Sequence, residues 1–236
     1  MIQIGNFFFK YRNWVFIPMY LALFIPSPVL LDKHLHYLLI WIGLSITVAG
    51  QMIRCLTIGF AYIDRGGKDK KVHASRLVTE GIFNHCRNPL YVGNVLKLLG
   101  LAFLSNSMIY LTIFIPAFLF IYQAIVLAEE NFLRNQFGVD YDNYWNRTNR
   151  WILDFSGLLK TFRSMEFRWQ RPVVKELAAL YVWLSGIVLI LLIKYPEITG
   201  DNVLLRNQLL FAILPTLLLM YLGMRYLKKT GRIQGL

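Results

Sequence analysis

Two short stretches of the chain concentrate the residue types that do chemistry. The first runs Ser75-Arg76-Leu77-Val78-Thr79-Glu80-Gly81-Ile82-Phe83-Asn84-His85-Cys86-Arg87-Asn88-Pro89-Leu90-Tyr91-Val92-Gly93. The second opens on Glu129-Glu130 and continues through Phe137-Gly138 and Asp140-Tyr141. Between them lie two apolar runs, 90–104 and 108–128, joined at Ser105, Asn106 and Ser107. Read as a helical hairpin, these runs return Glu129-Glu130 to the level of residues 87–91. An arginine, an asparagine, a tyrosine and a carboxylate converging at a membrane surface suit a ligand with a polar head and an apolar body. Neighbouring helical residues point about 100° apart, so Glu129 and Glu130 are expected to face different partners.

The elements that must position these residues follow from composition. Of 236 residues, 56% are hydrophobic and 16% charged, against about 25% charged in an average soluble domain. Mean hydropathy is +0.47. Disorder, a coiled coil and a disulfide scaffold are excluded, and a polytopic membrane protein remains. Six apolar segments stand out, at 14–31, 37–60, 90–104, 108–128, 177–193 and 209–222. The expected fold is all-α, a transmembrane helix bundle of about six spans with a small helical cytoplasmic cap. Pro18, Pro26, Pro116 and Pro215 are tolerable inside such spans. The first segment follows Lys10 and Arg12 without a small-residue cleavage site, which reads as an uncleaved anchor.

The net charge of +12 would suggest nucleic acid in a soluble protein. Here the basic residues flank apolar runs, so they orient the chain in a bilayer and no nucleic-acid partner is expected. With both termini inside, twenty Lys and Arg residues fall on the cytoplasmic side, and Lys33, Lys194 and Arg206 fall outside. Loops 61–89 and 129–176 then share the cytoplasmic face. Within the second loop, 129–137 continues the fourth span as a helix stopped by Gly138. Asp140 is expected to cap a short helix carrying Tyr141, Tyr144 and Trp145, the last two in the interfacial belt. Arg54 and Gln51 lie one turn apart and read as snorkelling or helix-bridging side chains. Lys97, two turns into the third segment, is weighed equally between meeting an anionic headgroup and a structural role. Cys55, Cys86, His34, His36 and His73 show no metal-ligand spacing, and no metal is expected.

With these residues in order, the chain resembles the isoprenylcysteine carboxyl methyltransferase and phospholipid methyltransferase superfamily of integral membrane enzymes. That family reads L-V-T-x-G-x-Y/F, then R-H-P-x-Y-x-G, a hydrophobic hairpin, then E-E and F-G-x-x-Y. The chain supplies Leu77-Val78-Thr79, Gly81, Phe83, Arg87, Pro89, Tyr91, Gly93, Glu129-Glu130, Phe137-Gly138 and Tyr141 in the same order. The likeness covers roughly 65–152 of a single membrane domain spanning 1–236, and the two C-terminal spans within 177–222 lie outside it.

The resemblance implies S-adenosyl-L-methionine as cofactor, cradled by the cytoplasmic ends of the hairpin. A lipid or isoprenylcysteine-like acceptor would enter from the bilayer. Carried over position by position, the cofactor contacts are Arg76, Leu77, Val78, Phe83, Asn88, Pro89, Leu90, Tyr91 and Glu129. Arg87 and Glu130 are the catalytic candidates, Arg87 to orient an acceptor carboxylate and Glu130 to take a proton from an acceptor amine. One departure is Asn88, where the family has His: its amide can donate a hydrogen bond but cannot titrate. His85 is a candidate substitute. Two other readings are kept: an NADPH-dependent sterol-reductase-like enzyme, with Arg76, Lys68, Lys70 and Lys71 available for the extra phosphate, and a non-catalytic lipid-binding protein.

Overall fold

The computed structural model describes residues 1–32, 34–61 and 73–233. Lys33, Arg65, Gly66, Gly67, Lys68, Lys70 and Lys71, which enter the charge and loop arguments above, lie outside the described residues. Eight helices form, with no strand among the described residues: α1 (Ile2–Leu21), α2 (His36–Phe60), α3 (Pro89–Leu104), α4 (Ile115–Phe137), α5 (Val139–Arg147), α6 (Leu158–Ser164), α7 (Gln170–Lys194) and α8 (Val203–Lys229). Short 3₁₀ turns sit at Ala22–Phe24, Gly81–Asn84 and Pro196–Thr199, and a π-helical turn, Tyr110–Phe114, leads into α4.

Four helices are long and apolar enough to cross a membrane: α2, the continuous Tyr110–Phe137, α7 and α8. The protein is an integral membrane protein. Of the six expected spans, two fall short of that test. Helix α3 has 16 residues, about 24 Å at 1.5 Å per residue, against a hydrocarbon core of about 30 Å. Helix α1 has 20 residues but carries Asn6, Lys10, Arg12 and Asn13. It also starts twelve residues before the expected segment at 14 and ends sooner. Pro26 and Pro28 lack backbone donors and restrict the residues before them, so 25–32 leaves the helix. Lys10 and Arg12 are therefore part of the first helix rather than of a preceding tail.

Two helix pairs carry the bundle. Helix α2 presents Gly43, Thr47, Gly50, Gln51 and Arg54, all buried, at spacings that share one face. Helix α3 answers with buried Gly93, Lys97, Gly100, Leu101 and Leu104. The pair runs antiparallel with backbones almost touching: a Cβ at Gly50 would stand 2.6 Å from the Gly93 carbonyl oxygen, and one at Gly43 2.7 Å from that of Gly100. Small residues allow this approach, the usual device for helix association in lipid. Helix α4 packs instead on α1, through Phe16 against Phe118 at 5.2 Å and against Tyr122 at 5.5 Å. The hairpin α3–α4 is thus shared between two partners, and space opens between them toward the end where α3 begins and α4 finishes.

Helix α7 closes one side through a buried polar network. Arg54 donates from Nε and Nη2 to the two Glu176 oxygens, both at 2.8 Å, and from Nη1 to Leu90 O at 2.9 Å and Asn94 Oδ1 at 2.8 Å. Arg54 is 3% and Glu176 0% exposed, so removing either partner alone costs on the order of 3–5 kcal/mol. Lys97 Nζ donates to Gln51 Oε1 at 2.7 Å and lies 5.2 Å from the Trp183 ring. The helix-bridging expectation for Arg54 and Gln51 holds, and Lys97 joins the same network within the bundle. Helix α8 buries no residue and rests on α7 through stacked Tyr181 and Tyr221.

Candidate active site

The space inside the splayed hairpin is a cavity of about 710 Å³, within the range of small-molecule sites. Its wall includes Arg76, Leu77, Val78, Phe83, Arg87, Asn88, Leu90, Tyr91, Glu129 and Glu130. Every residue singled out for cofactor or catalysis is there except Pro89, which is the buried first residue of α3 and sets where that helix starts.

The two neighbouring glutamates face different partners. Glu130, 8% exposed, is gripped by two guanidiniums. Arg150 donates from Nε at 3.1 Å to each oxygen and from Nη2 at 2.8 Å, and Arg87 donates from Nε at 3.2 Å. Asn88 Nδ2 adds a longer bond of 3.4 Å to the same carboxylate and reaches Arg150 O at 3.3 Å. Arg87 also holds the end of α5, donating from Nη1 to Trp145 O at 2.7 Å and Thr148 O at 3.1 Å. Such a cluster fixes geometry, with both Glu130 oxygens engaged by guanidinium donors. Glu129 is different. Among the described residues it accepts only the Tyr91 hydroxyl, at 2.8 Å, and forms no ion pair.

The loop around this cluster is pinned by side chains from three elements. His85, 4% exposed, uses both ring nitrogens, Nδ1 at 2.8 Å from Asp154 O and Nε2 at 2.8 Å from Thr161 Oγ1. It ties the loop to α6 and takes no place in the cavity, so it does not replace the family histidine. Burial pushes the Cys86 thiol up to about 11. Gly138, not Asp140, stands before α5, with φ of 53°, a value glycine adopts freely; Asp140 lies in the first turn. Tyr144 leaves the expected interfacial belt: it is buried, donates to Phe83 O at 2.7 Å, and lines the cavity. Trp145 stays exposed beneath the Arg87 guanidinium, 5.1 Å from its ring. Tyr141 is 1% exposed, lines the cavity, and its hydroxyl finds no partner among the described residues.

Several wall residues were not singled out from the sequence. Arg12, Phe16 and Tyr20 come from α1, Arg54 and Asn94 from the network above, and Ala178, Ala179 and Val182 from α7. The α1 group follows helical spacing, Phe9-Arg12-Phe16-Tyr20, and becomes visible once the helix is started at Ile2. The Arg150 contact has no local signal, because it depends on how the loop after α5 returns.

Residues 34–140 match the sequence pattern of a family described as phospholipid methyltransferase. Two curated relatives are similar over part of the chain. The nickel-cobalt-cadmium resistance protein NccN of Alcaligenes xylosoxydans xylosoxydans is 30% identical over 125 residues, 52% of this chain and 55% of its own. The cobalt-zinc-cadmium resistance protein CzcN of Cupriavidus metallidurans is 32% identical over 107 residues, 45% of this chain and 44% of its own. The chain thus spans about half the length of the curated relatives it matches. No solved structure matches it. The matched segment covers α2, the Arg87–Tyr91 stretch, the hairpin and the two glutamates, so the similarity to the phospholipid methyltransferase family, within the isoprenylcysteine and phospholipid methyltransferase superfamily, takes in both motif stretches.

Proposed function

We propose that the protein is a membrane methyltransferase that uses S-adenosyl-L-methionine and methylates a lipid or lipid-linked acceptor, with both termini and the site on the cytoplasmic face. One observation carries the reading: the wall of a single cavity holds one carboxylate, Glu129, free of any ion pair among the described residues, and a buried Tyr141 hydroxyl without a hydrogen-bond partner among them. A carboxylate not held by a close ion pair suits a cationic amine or ribose hydroxyls, and an orphaned buried hydroxyl suits a ligand that completes its bonding. The residues therefore fit this cofactor. Glu129, Tyr91 and Tyr141 would hold its polar parts, and Leu77, Val78, Phe83 and Leu90 its flat apolar part. When bound, it supplies an electrophilic methyl group on a sulfonium.

The chain's own contribution is orientation and exclusion of water, which is what an in-line displacement requires. Arg87, Asn88 and Glu130 act as positioning residues: their mutual bonds and those to Arg150, Trp145 and Thr148 hold the loop and α5 over the cavity. An acceptor carboxylate needs only alignment. An acceptor amine must lose a proton, and Glu129 is the carboxylate in the wall not already engaged by a guanidinium. The excess of Lys and Arg in the sequence segments 61–89 and 129–176 supports the cytoplasmic orientation. The relatives' names speak of metal resistance. Here the cavity's carboxylates face arginines and a tyrosine, and among the described residues no three His, Cys, Asp or Glu converge; in this reading any part in resistance runs through the methylated product.

Calorimetric titration of the detergent-purified protein with S-adenosylhomocysteine, with NADPH in parallel, tests the reading. Saturable binding of S-adenosylhomocysteine alone is expected. Binding of NADPH alone, or of neither by folded protein, would contradict it.

A further inference from the structure

The backbone between α5 and α7 comes back to the end of α2. Phe162 of α6 stacks on Phe60 at 5.1 Å, with the ring planes 11° apart. Phe167 meets Phe60 edge-on at 5.2 Å and fills the notch left by Gly59, where a Cβ would collide with its ring. Arg168 N donates to Gly59 O at 3.0 Å. Gly59 and Phe60 end one membrane-crossing helix, and α7, another, begins at Gln170. Helix α6 is therefore fixed at the level where two spans leave the hydrocarbon, the depth of the lipid headgroups. Trp169, 58% exposed beside it, is a side chain favoured at that depth.

The outward side of this segment is apolar and basic. Ile152 and Phe155 are each 73% exposed and Leu159 is 70% exposed, large side chains without protein cover. On α6, Thr161 is held inward by His85 at 2.8 Å and Phe162 by Phe60. At about 100° per residue, the opposite arc carries Leu159 with Arg163 and Lys160 to one side of it, all exposed. Neither cation forms an ion pair among the described residues, where the ion pairs nearest in sequence join Arg150 to Glu130 and Arg168 to Glu166. The acid between them and α5, Asp154, is taken up by Ser156 N at 2.8 Å and Ser156 Oγ at 3.1 Å. An apolar face flanked by cations is the pattern of an element lying in a membrane interface.

We propose that Ile152, Phe155, Leu159, Lys160 and Arg163 form a docking surface for the headgroup layer of the bilayer that holds the protein. The apolar side chains enter the acyl boundary, and the two cations meet the phosphates of anionic phospholipids. The occupant is a bilayer rather than a soluble partner because Phe60 and the start of α7 already hold the surface at bilayer depth. The surface is separate from the cavity and outside the matched segment 34–140, and it does not depend on methyl transfer.

The test uses the full chain with Leu159→Cys carrying a nitrobenzoxadiazole label, and Cys55→Ser so that buried Cys86 is the remaining native thiol. The protein is placed in nanodiscs of phosphatidylcholine, or of an equimolar mixture with phosphatidylglycerol, each containing lipid with a doxyl group near the headgroup. Quenching by the doxyl lipid is expected in both, at least twofold stronger in the anionic discs. The difference should vanish in high salt and in the double variant Lys160→Gln, Arg163→Gln. Phe155→Cys provides a second label position if Leu159→Cys does not fold, with the same outcome expected. A label left unquenched in both discs overturns the docking surface and hands the patch to a soluble partner. Equal quenching in the two discs, or a difference that survives the double variant, overturns the role of anionic lipid.

Discussion

Glu129 and Glu130 are neighbours on α4, on the wall of one cavity, and their surroundings are opposite. Glu130 is enclosed by Arg87, Arg150 and Asn88. Glu129 meets a single neutral hydroxyl, that of Tyr91. A carboxylate enclosed by two guanidiniums has its charge cancelled inside the protein and holds parts together. A carboxylate facing one phenol keeps its second oxygen available to a ligand. Two identical residues, about 100° apart on a helix, thus stand in opposite environments, and in the proposed reading one builds the site while the other meets the ligand.

The comparison can be broken experimentally, and the largest effect is expected at the enclosed residue. Glu130→Ala strands two buried or half-buried cations and should destabilise the protein by about 3–5 kcal/mol, read as a large drop in melting temperature in detergent. Glu129→Ala should leave the melting temperature nearly unchanged and weaken S-adenosylhomocysteine roughly a hundredfold, the usual order for losing a desolvated charged partner. If the two variants exchange these phenotypes, the division of roles is wrong. Tyr91→Phe removes the one bond to Glu129 and should cost about 1 kcal/mol in cofactor affinity, a fivefold effect by calorimetry, with Glu130-dependent stability untouched.

The smallest effect sharpens the enclosed side of the comparison. Cys86 is fully buried beside the Glu130 cluster, with its thiol raised by burial to about 11. The neutral thiol is therefore the native form at pH 8, where roughly one molecule in a thousand would be thiolate. Iodoacetamide should leave Cys86 unmodified in the native protein and alkylate it after denaturation, as read by mass spectrometry. Glu130→Ala should make it reactive in the native state; Glu129→Ala should not.

Much of this site was legible because its order along the chain is also its order in space. Arg87, Asn88, Tyr91 and the glutamate pair flank a hairpin, and a hairpin returns its ends to one level whatever the rest of the bundle does. What could not be read depended on distant packing. Arg150 reaches Glu130 only because the backbone after α5 turns back, with Arg87 N bonded to Asn149 O at 2.8 Å. Tyr144 was assigned to the interface by residue type, yet its hydroxyl is drawn inward by the Phe83 carbonyl. The glycines of α2 and α3 carried a readable signal in the matched seven-residue spacing of Gly43/Gly50 and Gly93/Gly100. The α1 wall was missed for a physical reason: hydropathy placed the span over 14–31, while Pro26 and Pro28 force the helix to end early and Arg12 is carried inside it.

The most direct test of the central claim is transfer of radiolabelled methyl from S-adenosylmethionine into the lipid fraction of membranes containing the wild-type protein, with Glu129→Ala as comparator. The account predicts label in the lipid fraction that depends on the wild-type protein and is lost in Glu129→Ala despite normal folding. No lipid label above membranes lacking the protein, or equal label with Glu129→Ala, would contradict it.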